Sequence, residues 1–318
     1  MVKIVSWNVN GIRSNIFCEG SLKKNKKIYK ELNASNLKHL IDKYNPDIIC
    51  FQETKCSEEI AKQFQFVEYP FKYWNESKGE KHRGTGYSGT SIWSKIEPEF
   101  VDNKFIKDDF QFENKEGRFI IAKFKDFDLI NVYVPNSGTN FEYRIQEWDK
   151  NIHTILERSI DKPLIYTGDL NVVSTEKDIW NPKTLPVSKL ESIDEDKQVE
   201  FLKDFNGLLV EERINIKILY DELNYLDIYR HLNPDITDKY SWWNQRRKIT
   251  RQENKGRRID YFLIHEKFKS LISDCLILDD IMGSDHCPIM LELNYEYCVK
   301  KSTKDTKIED YQNMFDMA

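Results

Sequence analysis

No run of about 18 apolar residues occurs in this chain, which excludes an ordinary membrane-spanning helix. Its opening, Val2-Lys3-Ile4-Val5, lacks a secretory signal pattern. An intracellular protein that is not secreted and binds no membrane is therefore expected, with nucleus, cytoplasm and organelle all left open. Six cysteines (18, 50, 56, 275, 287 and 298) include no CxxC pair, and no Cys/His cluster points to zinc. Cys50, inside the apolar Ile48-Ile49-Cys50-Phe51, reads as a buried thiol of a reducing compartment. No internal repeat is evident. Nor is there an excess of positive charge: the formal net charge is −5, which by itself argues weakly against a polyanionic partner.

What the chain does have is material for a core. Its 318 residues are 40% hydrophobic and 13% aromatic, enough for one large α/β domain. Strand-like and helix-like pieces alternate. Residues 2–8 read as a strand delivering Trp7 and Asn8 to its C-terminal end. Ser35 caps a helix over 36–44 with Leu37, Leu40 and Ile41 inward. A buried strand at 47–51 empties into Gln52-Glu53-Thr54-Lys55, and a helix is expected over 58–66. Residues 84–94 are glycine-punctuated and then apolar, a loop leading into a strand. Residues 118–124 and 128–134 make a hairpin, and apolar residues at 145, 148, 152, 155 and 156 mark one long helix over 141–160. A strand at 164–168 ends at Asp169-Leu170-Asn171, and a helix follows the acidic 191–196 and runs to 212. The strand at 259–264 starts with Asp260, and the turn Gly283-Ser284-Asp285-His286 precedes the strand at 289–293. The lysine-rich 22–30 reads as an exposed insertion, and the pattern stops after Tyr297.

The polar residues recur at strand ends: Asn8, Glu53, Tyr133, Asn136, Asp169, Asn171, Asp260, Asp285 and His286. Their recurrence predicts convergence on one rim of a sheet sandwich. Cleavage of a phosphodiester needs a cation on the phosphate, a base for water and donors for the developing charge. Carboxylate and amide oxygens around Glu53 are hard ligands that suit Mg²⁺ or Mn²⁺. Between Gln245 and Arg258, Arg246, Arg247, Lys248, Arg251, Lys255, Arg257 and Arg258 face Glu253 alone. Tyr240, Trp242 and Trp243 stand just before, a mixture suited to phosphate contact and stacking.

These residues carry a resemblance. Ser6-Trp7-Asn8-Val9-Asn10-Gly11-Ile12-Arg13, Phe51-Gln52-Glu53-Thr54-Lys55, Gly86-Tyr87-Ser88-Gly89-Thr90, Glu116-Gly117-Arg118 and Asn131-Val132-Tyr133-Val134-Pro135-Asn136 come in order. Thr167-Gly168-Asp169-Leu170-Asn171-Val172, Arg258-Ile259-Asp260-Tyr261-Phe262 and the Gly283 to Ile289 turn complete the set. Together they resemble the exonuclease III family of apurinic/apyrimidinic endonucleases. The resemblance implies a four-layered α/β sandwich with two central mixed β-sheets flanked by helices. Over residues 1–297 it implies one endonuclease/exonuclease/phosphatase catalytic domain, leaving 298–318 as a flexible tail. It further implies Mg²⁺-dependent cleavage 5′ to abasic sites in double-stranded DNA, action on blocked 3′ ends, 3′→5′ exonuclease activity, and a monomer.

Carried over by motif, Glu53 resembles the principal metal ligand, with Asn8, Asp169, Asn171 and Asp285 beside it. Asp169 resembles the group that activates water or protonates the leaving oxygen, and Asn171 holds that water and the phosphate. His286, oriented by Asp260, would contact the scissile phosphate, and either Asp169 or His286 could serve as the base. Tyr133 and Asn136 would donate to phosphate oxygens. Arg118, Trp242, Ile259, Arg257, Arg246 and Arg247 fall to the DNA-contacting surface. Departures from the family pattern concern substrate preference. Thr139 stands where some members have an arginine, Arg257 where some have tryptophan, and the segments near 19–34 and 195–219 are long. A phosphatase of inositol lipids, or a less selective endonuclease of mobile-element type, would share part of the motif set. The Gln-Glu-Thr-Lys and Trp-Asn-Val-Asn-Gly-Ile-Arg motifs favour the DNA-repair branch.

Overall fold

A computed structural model of the chain describes residues 1–16, 35–61, 66–78, 86–245 and 250–295. The lysine-rich 22–30, the end of the helix expected over 58–66, Arg246, Arg247, Lys248 and the tail lie outside those residues. Within them, no helix is long and apolar enough to cross a membrane.

Two six-stranded mixed sheets lie face to face. The first runs Ile272–Ile277, Ile289–Leu293, Val2–Asn8, Ile48–Gln52, Thr90–Ser94, Phe71–Asn75; the second runs Tyr225–Asp227, Asp260–His265, Leu164–Asp169, Asp128–Tyr133, Phe119–Lys123, Phe100–Asp102. Successive strand residues point to opposite faces, so each apolar run serves two cores. Val2, Ile4, Ile48 and Cys50 meet Ile120, Leu129, Ile165 and Phe262 between the sheets. The alternate residues Val5, Trp7, Ile49 and Phe51 pack outward against Leu37, Leu40 and Ile41 of the helix Asn36–Tyr44. On the other flank Ile130, Val132, Tyr166 and Leu263 pack against Trp148, Ile152, Ile155, Ile216 and Leu219. Helix, sheet, sheet, helix is the expected layering. Asn131 stitches the two sheets, accepting from Gln52 at 2.7 Å and donating to the carbonyls of Phe51 and Ser91, both at 3.0 Å.

Strand direction explains why the polar residues meet. Val2–Asn8 and Ile48–Gln52 are parallel, as are Asp128–Tyr133 and Leu164–Asp169, so Asn8, Glu53, Tyr133 and Asp169 leave by C-terminal ends. Asp260–His265 and Ile289–Leu293 run antiparallel to their neighbours and present N-terminal ends at the same rim, with Asp260 opposite Asp169.

Two helices differ from expectation. The one expected over 141–160 is a π-helical turn, Tyr143–Trp148, running into the α-helix Asp149–Glu157, although its apolar positions are buried as expected. The one expected to reach 212 is two helices, Glu195–Phe205 and Val210–Asp221. Asn206 and Gly207 separate them; Gly207 takes φ +74°, a left-handed turn that stops a helix. Strands Phe71–Asn75 and Ile272–Ile277, and the hairpin Lys104–Lys107 with Phe110–Glu113, had no counterpart in the periodicity reading.

Candidate active site

Glu53 and Asn171, each just past a strand, adopt left-handed backbone, φ +50° in both. Such conformations are uncommon away from glycine and cluster where a side chain must be re-aimed. Glu53, Tyr133, Asn136, Asp169, Asn171, Asp285 and His286 line one cleft of about 160 Å³, together with Trp242, Arg257, Ile259, Asn206 and Gly207. Asp260 sits one layer behind, its Oδ2 2.8 Å from His286 Nδ1. That bond sets the ring so that Nε2 faces Asp169 Oδ2 at 3.7 Å. The backbone of this turn is pinned: Ser284 Oγ donates to Asn8 O at 2.8 Å and accepts from His286 N at 3.2 Å. Ser241 Oγ accepts from the amides of both Ile259 and Asp260 at 3.1 Å.

Asn8 is the hub. Its Nδ2 donates to Glu53 Oε1 at 3.0 Å and to Asp169 Oδ2 at 2.9 Å, and its Oδ1 accepts from Asn10 N at 3.0 Å. In this orientation its amide nitrogen bridges two carboxylates, and its oxygen is turned to Asn10 N.

The electrostatics follow from four carboxylates crowded at a buried rim. Asp169, 1% exposed, is pushed up to about 7 by burial, which the His286 charge opposes and the charges of Asp260 and Glu53 reinforce. Burial alone would lower His286, but Asp260 and Asp169 outweigh it and raise the imidazole to about 10. Glu53 is held below the ordinary carboxylate range: burial opposes this, and the Lys55 ammonium, 2.7 Å from Oε2, prevails. Burial, then the Glu53 charge, keeps the Tyr133 hydroxyl protonated as a donor.

Glu53, Asp169, Asp260 and Asp285 outnumber the cations Lys55 and His286, and the donor set is oxygen and imidazole with no thiolate. It fits a hard divalent ion. Asp169, Asp260 and His286 offer ligand atoms within 4.8 Å of one another, yet Asp260 and His286 already use theirs on each other. Glu53 and Asp285 are less buried than that pair and line the cleft directly.

Some expected contacts stand elsewhere. Arg118 is only 3% exposed: it pairs with Glu116 at 2.6 Å, donates to Tyr87 at 2.5 Å and lies over the Tyr133 ring at 4.6 Å. It backs Tyr133 and does not face solvent. Arg258 is buried between Asp178, at 2.7 Å, and Asp227, at 2.5 Å. Arg251 spends its guanidinium on the carbonyls of Ser284, Asp279 and Ile281. These two members of the basic stretch hold structure together. Arg257 is different: it pairs with Trp242 in a short ribbon, lies 5.3 Å from that ring, and donates to Asn206 O at 3.2 Å. Trp242 in turn donates to Asp285 Oδ2 at 3.2 Å. Ile259 is buried but reaches the cleft wall. Asn206 and Gly207 escaped the sequence reading because a helix was drawn through them; the Asn-Gly pair is itself a turn signal.

A family model described as endonuclease/exonuclease/phosphatase family matches residues 5–286. An exodeoxyribonuclease of Bacillus subtilis is 33% identical over 296 residues, 92% of this chain and 100% of that one. A DNA-(apurinic or apyrimidinic site) endonuclease of Dictyostelium discoideum is 31% identical over 301 residues, covering 92% and 71%. Among solved structures, an AP endonuclease from Leishmania major superposes with a TM-score of 0.69 at 26% identity, covering 93% of this chain and 88% of that one. With its two-sheet fold, its rim of carboxylates, amides and imidazole, and these similarities, the chain belongs to the endonuclease/exonuclease/phosphatase family.

Proposed function

We propose that this protein is a DNA-repair nuclease that hydrolyses the phosphodiester 5′ to an abasic site in double-stranded DNA, leaving a 3′-hydroxyl. It also clears blocked 3′ ends and trims 3′ termini. The observation that carries the reading is the chain of contacts Asp260, His286, Asp169, Asn8, Glu53, of which His286, Asp169 and Glu53 line one cleft with Asp260 and Asn8 behind them. The relatives' names supply the substrate class.

Glu53 and Asp285, with oxygens of Asp169 and Asn171 and with Asn8 beside them, would hold Mg²⁺, or Mn²⁺ in its place. When bound, that ion draws charge from the phosphate oxygens. The chain's own groups do the rest. His286, protonated and fixed by Asp260, donates through Nε2 to a non-bridging oxygen, and Tyr133 and Asn136 donate to others. Asp169 takes a proton from the attacking water as the water oxygen bonds to phosphorus and the bond to O3′ breaks. The departing O3′ takes a proton from the imidazolium or from solvent. One chain carries every named group, so a monomer suffices. Residues 1–297 form the catalytic domain, 298–318 are an appended tail, and the enzyme works inside the cell.

The test uses one duplex with a single abasic analogue, its undamaged twin, a 3′-blocked duplex and an inositol phosphate. Each is incubated with Mg²⁺, Mn²⁺ or chelator. Metal-dependent incision of the abasic strand well above its twin is the expected result. Equal incision of both duplexes supports the less selective endonuclease instead. Phosphate released only from the inositol compound overturns the DNA reading altogether.

A further inference from the structure

Glu212 is fully buried and has no part in the chemistry above. Its Oε1 accepts from Ser137 Oγ at 2.5 Å and from Gly207 N at 3.2 Å, and its Oε2 accepts from Leu209 N at 2.9 Å. The bond to Leu209 N is what a carboxylate at the third position of the helix Val210–Asp221 does to cap it. The bond to Ser137 is not needed for capping: it reaches across 75 residues to the segment that carries Asn136.

Both segments meet at the cleft. Asn136 Nδ2 donates to Asn206 Oδ1 at 3.1 Å, closing the wall above the clasp. Gly207 O accepts from Val173 N at 2.8 Å, so the same turn also backs the Asn171 loop. A Cβ on Gly207 would lie 3.1 Å from Asn171 O, which shows how closely the two backbones approach. A buried carboxylate is costly because it loses its solvation, and among the described residues no cation bonds Glu212 directly: Arg144 spends its guanidinium on Asp149 at 2.9 Å and Pro135 O at 3.0 Å. Capping one helix does not call for that cost plus a third donor from another element.

We infer that Glu212 is a positioning residue that clasps the Asn136, Asn206 and Asn171 segments together and so fixes the width of the pocket that accepts the lesion. A rigid, narrow pocket discriminates because an intact nucleotide must be extruded and still does not fit. This inference rests on the proposed function.

Ser137→Ala is the sharpest test, since it cuts the bond between elements and leaves the cap intact. It is expected to lower the preference for abasic over undamaged duplex by ~10-fold, the scale of one buried hydrogen bond lost, and Glu212→Ala, which removes three, by at least as much. The loss should appear in KM, with kcat and 3′ trimming within a few-fold. Glu212→Gln, whose amide oxygen can still accept from Ser137 and Gly207 while Leu209 N loses its acceptor, should restore most of the preference. In the substrate-free protein, hydrogen exchange of residues 133–140 and 204–210 should speed up together in Ser137→Ala. Unchanged preference in Ser137→Ala, or a parallel fall of every activity with the melting temperature, overturns the clasp. If the unmodified protein shows no preference for the lesion, the proposed function fails instead, and the paired rise in exchange, or its absence, decides the clasp.

Discussion

His286 and Asp169 face each other across 3.7 Å with shifts that have opposite meanings for stability. An imidazole raised from 6.5 to about 10 by its carboxylate partners stabilises the fold while protonated. That contribution is complete below about 6.5 and is lost as pH rises through about 10. The melting-temperature gap between the metal-free protein and His286→Gln should therefore be widest at about pH 6.5 and below and close above pH 10; a gap that is flat across this range removes the ion pair. Asp169 behaves the other way: raised from 3.8 to about 7, its ionisation opposes folding, and the penalty is complete above about 7. Asp169→Asn should leave the melting temperature at pH 8 unchanged or raise it, while turnover on abasic duplex falls at least ~10²-fold, as for an acid/base group. A variant within a few-fold of the parent would place the proton transfer elsewhere. The side chains themselves are visible in sequence, but the direction of their shifts comes from burial and from charges brought by other strands, such as Asp260, 26 residues from His286.

At the scale of elements, the catalytic rim depends on close strand pairing. Gly168 sits at φ +144°, and a Cβ there would stand 1.9 Å from Val132 O in the neighbouring parallel strand. No side chain can give way, because the obstacle is backbone. Gly168→Ala should cost more than ~3 kcal/mol, read as a lowered urea midpoint, and should disturb Asp169 with it. An unaffected midpoint would mean that these strands can separate without loss. The same scale explains the misread helices. Periodicity located the buried positions Ile145, Trp148, Ile152, Ile155 and Leu156, yet it cannot distinguish a π-helical turn from an α-helical one, nor see through a break at Asn206 and Gly207. Phe71–Asn75 is only half-buried apart from Asn75, so its sequence lacks the alternation that marks a strand.

Over the whole molecule, charge is distributed, and the total is a poor guide. The formal net charge of −5 hides a basic ribbon in which Arg257 faces the cleft while Arg251 and Arg258 are committed to the interior. Duplex binding should still weaken with salt, each neutralised phosphate contributing about −0.9 to the log–log slope. Replacing Arg246, Arg247 and Lys248 by Gln together should flatten that slope by up to ~2.7, measured on abasic duplex in chelator. An unaltered slope would show that this stretch faces away from DNA.

The sequence by itself determined many of the strands and helices, because apolar alternation and helix caps are written in neighbours; the layered architecture and the residues that could do chemistry came from the resemblance, because motif order survives without coordinates. Tertiary structure alone decided how those residues are used. Arg118 was drawn into the interior because its partners, the Tyr87 hydroxyl and the Tyr133 ring, come from other segments. Asn206 and Gly207 became part of the cleft, with Glu212 buried behind them, because a helix break folds these residues onto others some 70 positions earlier. Burial, charge and hydrogen-bond geometry are properties of that assembly, and local pattern does not contain them.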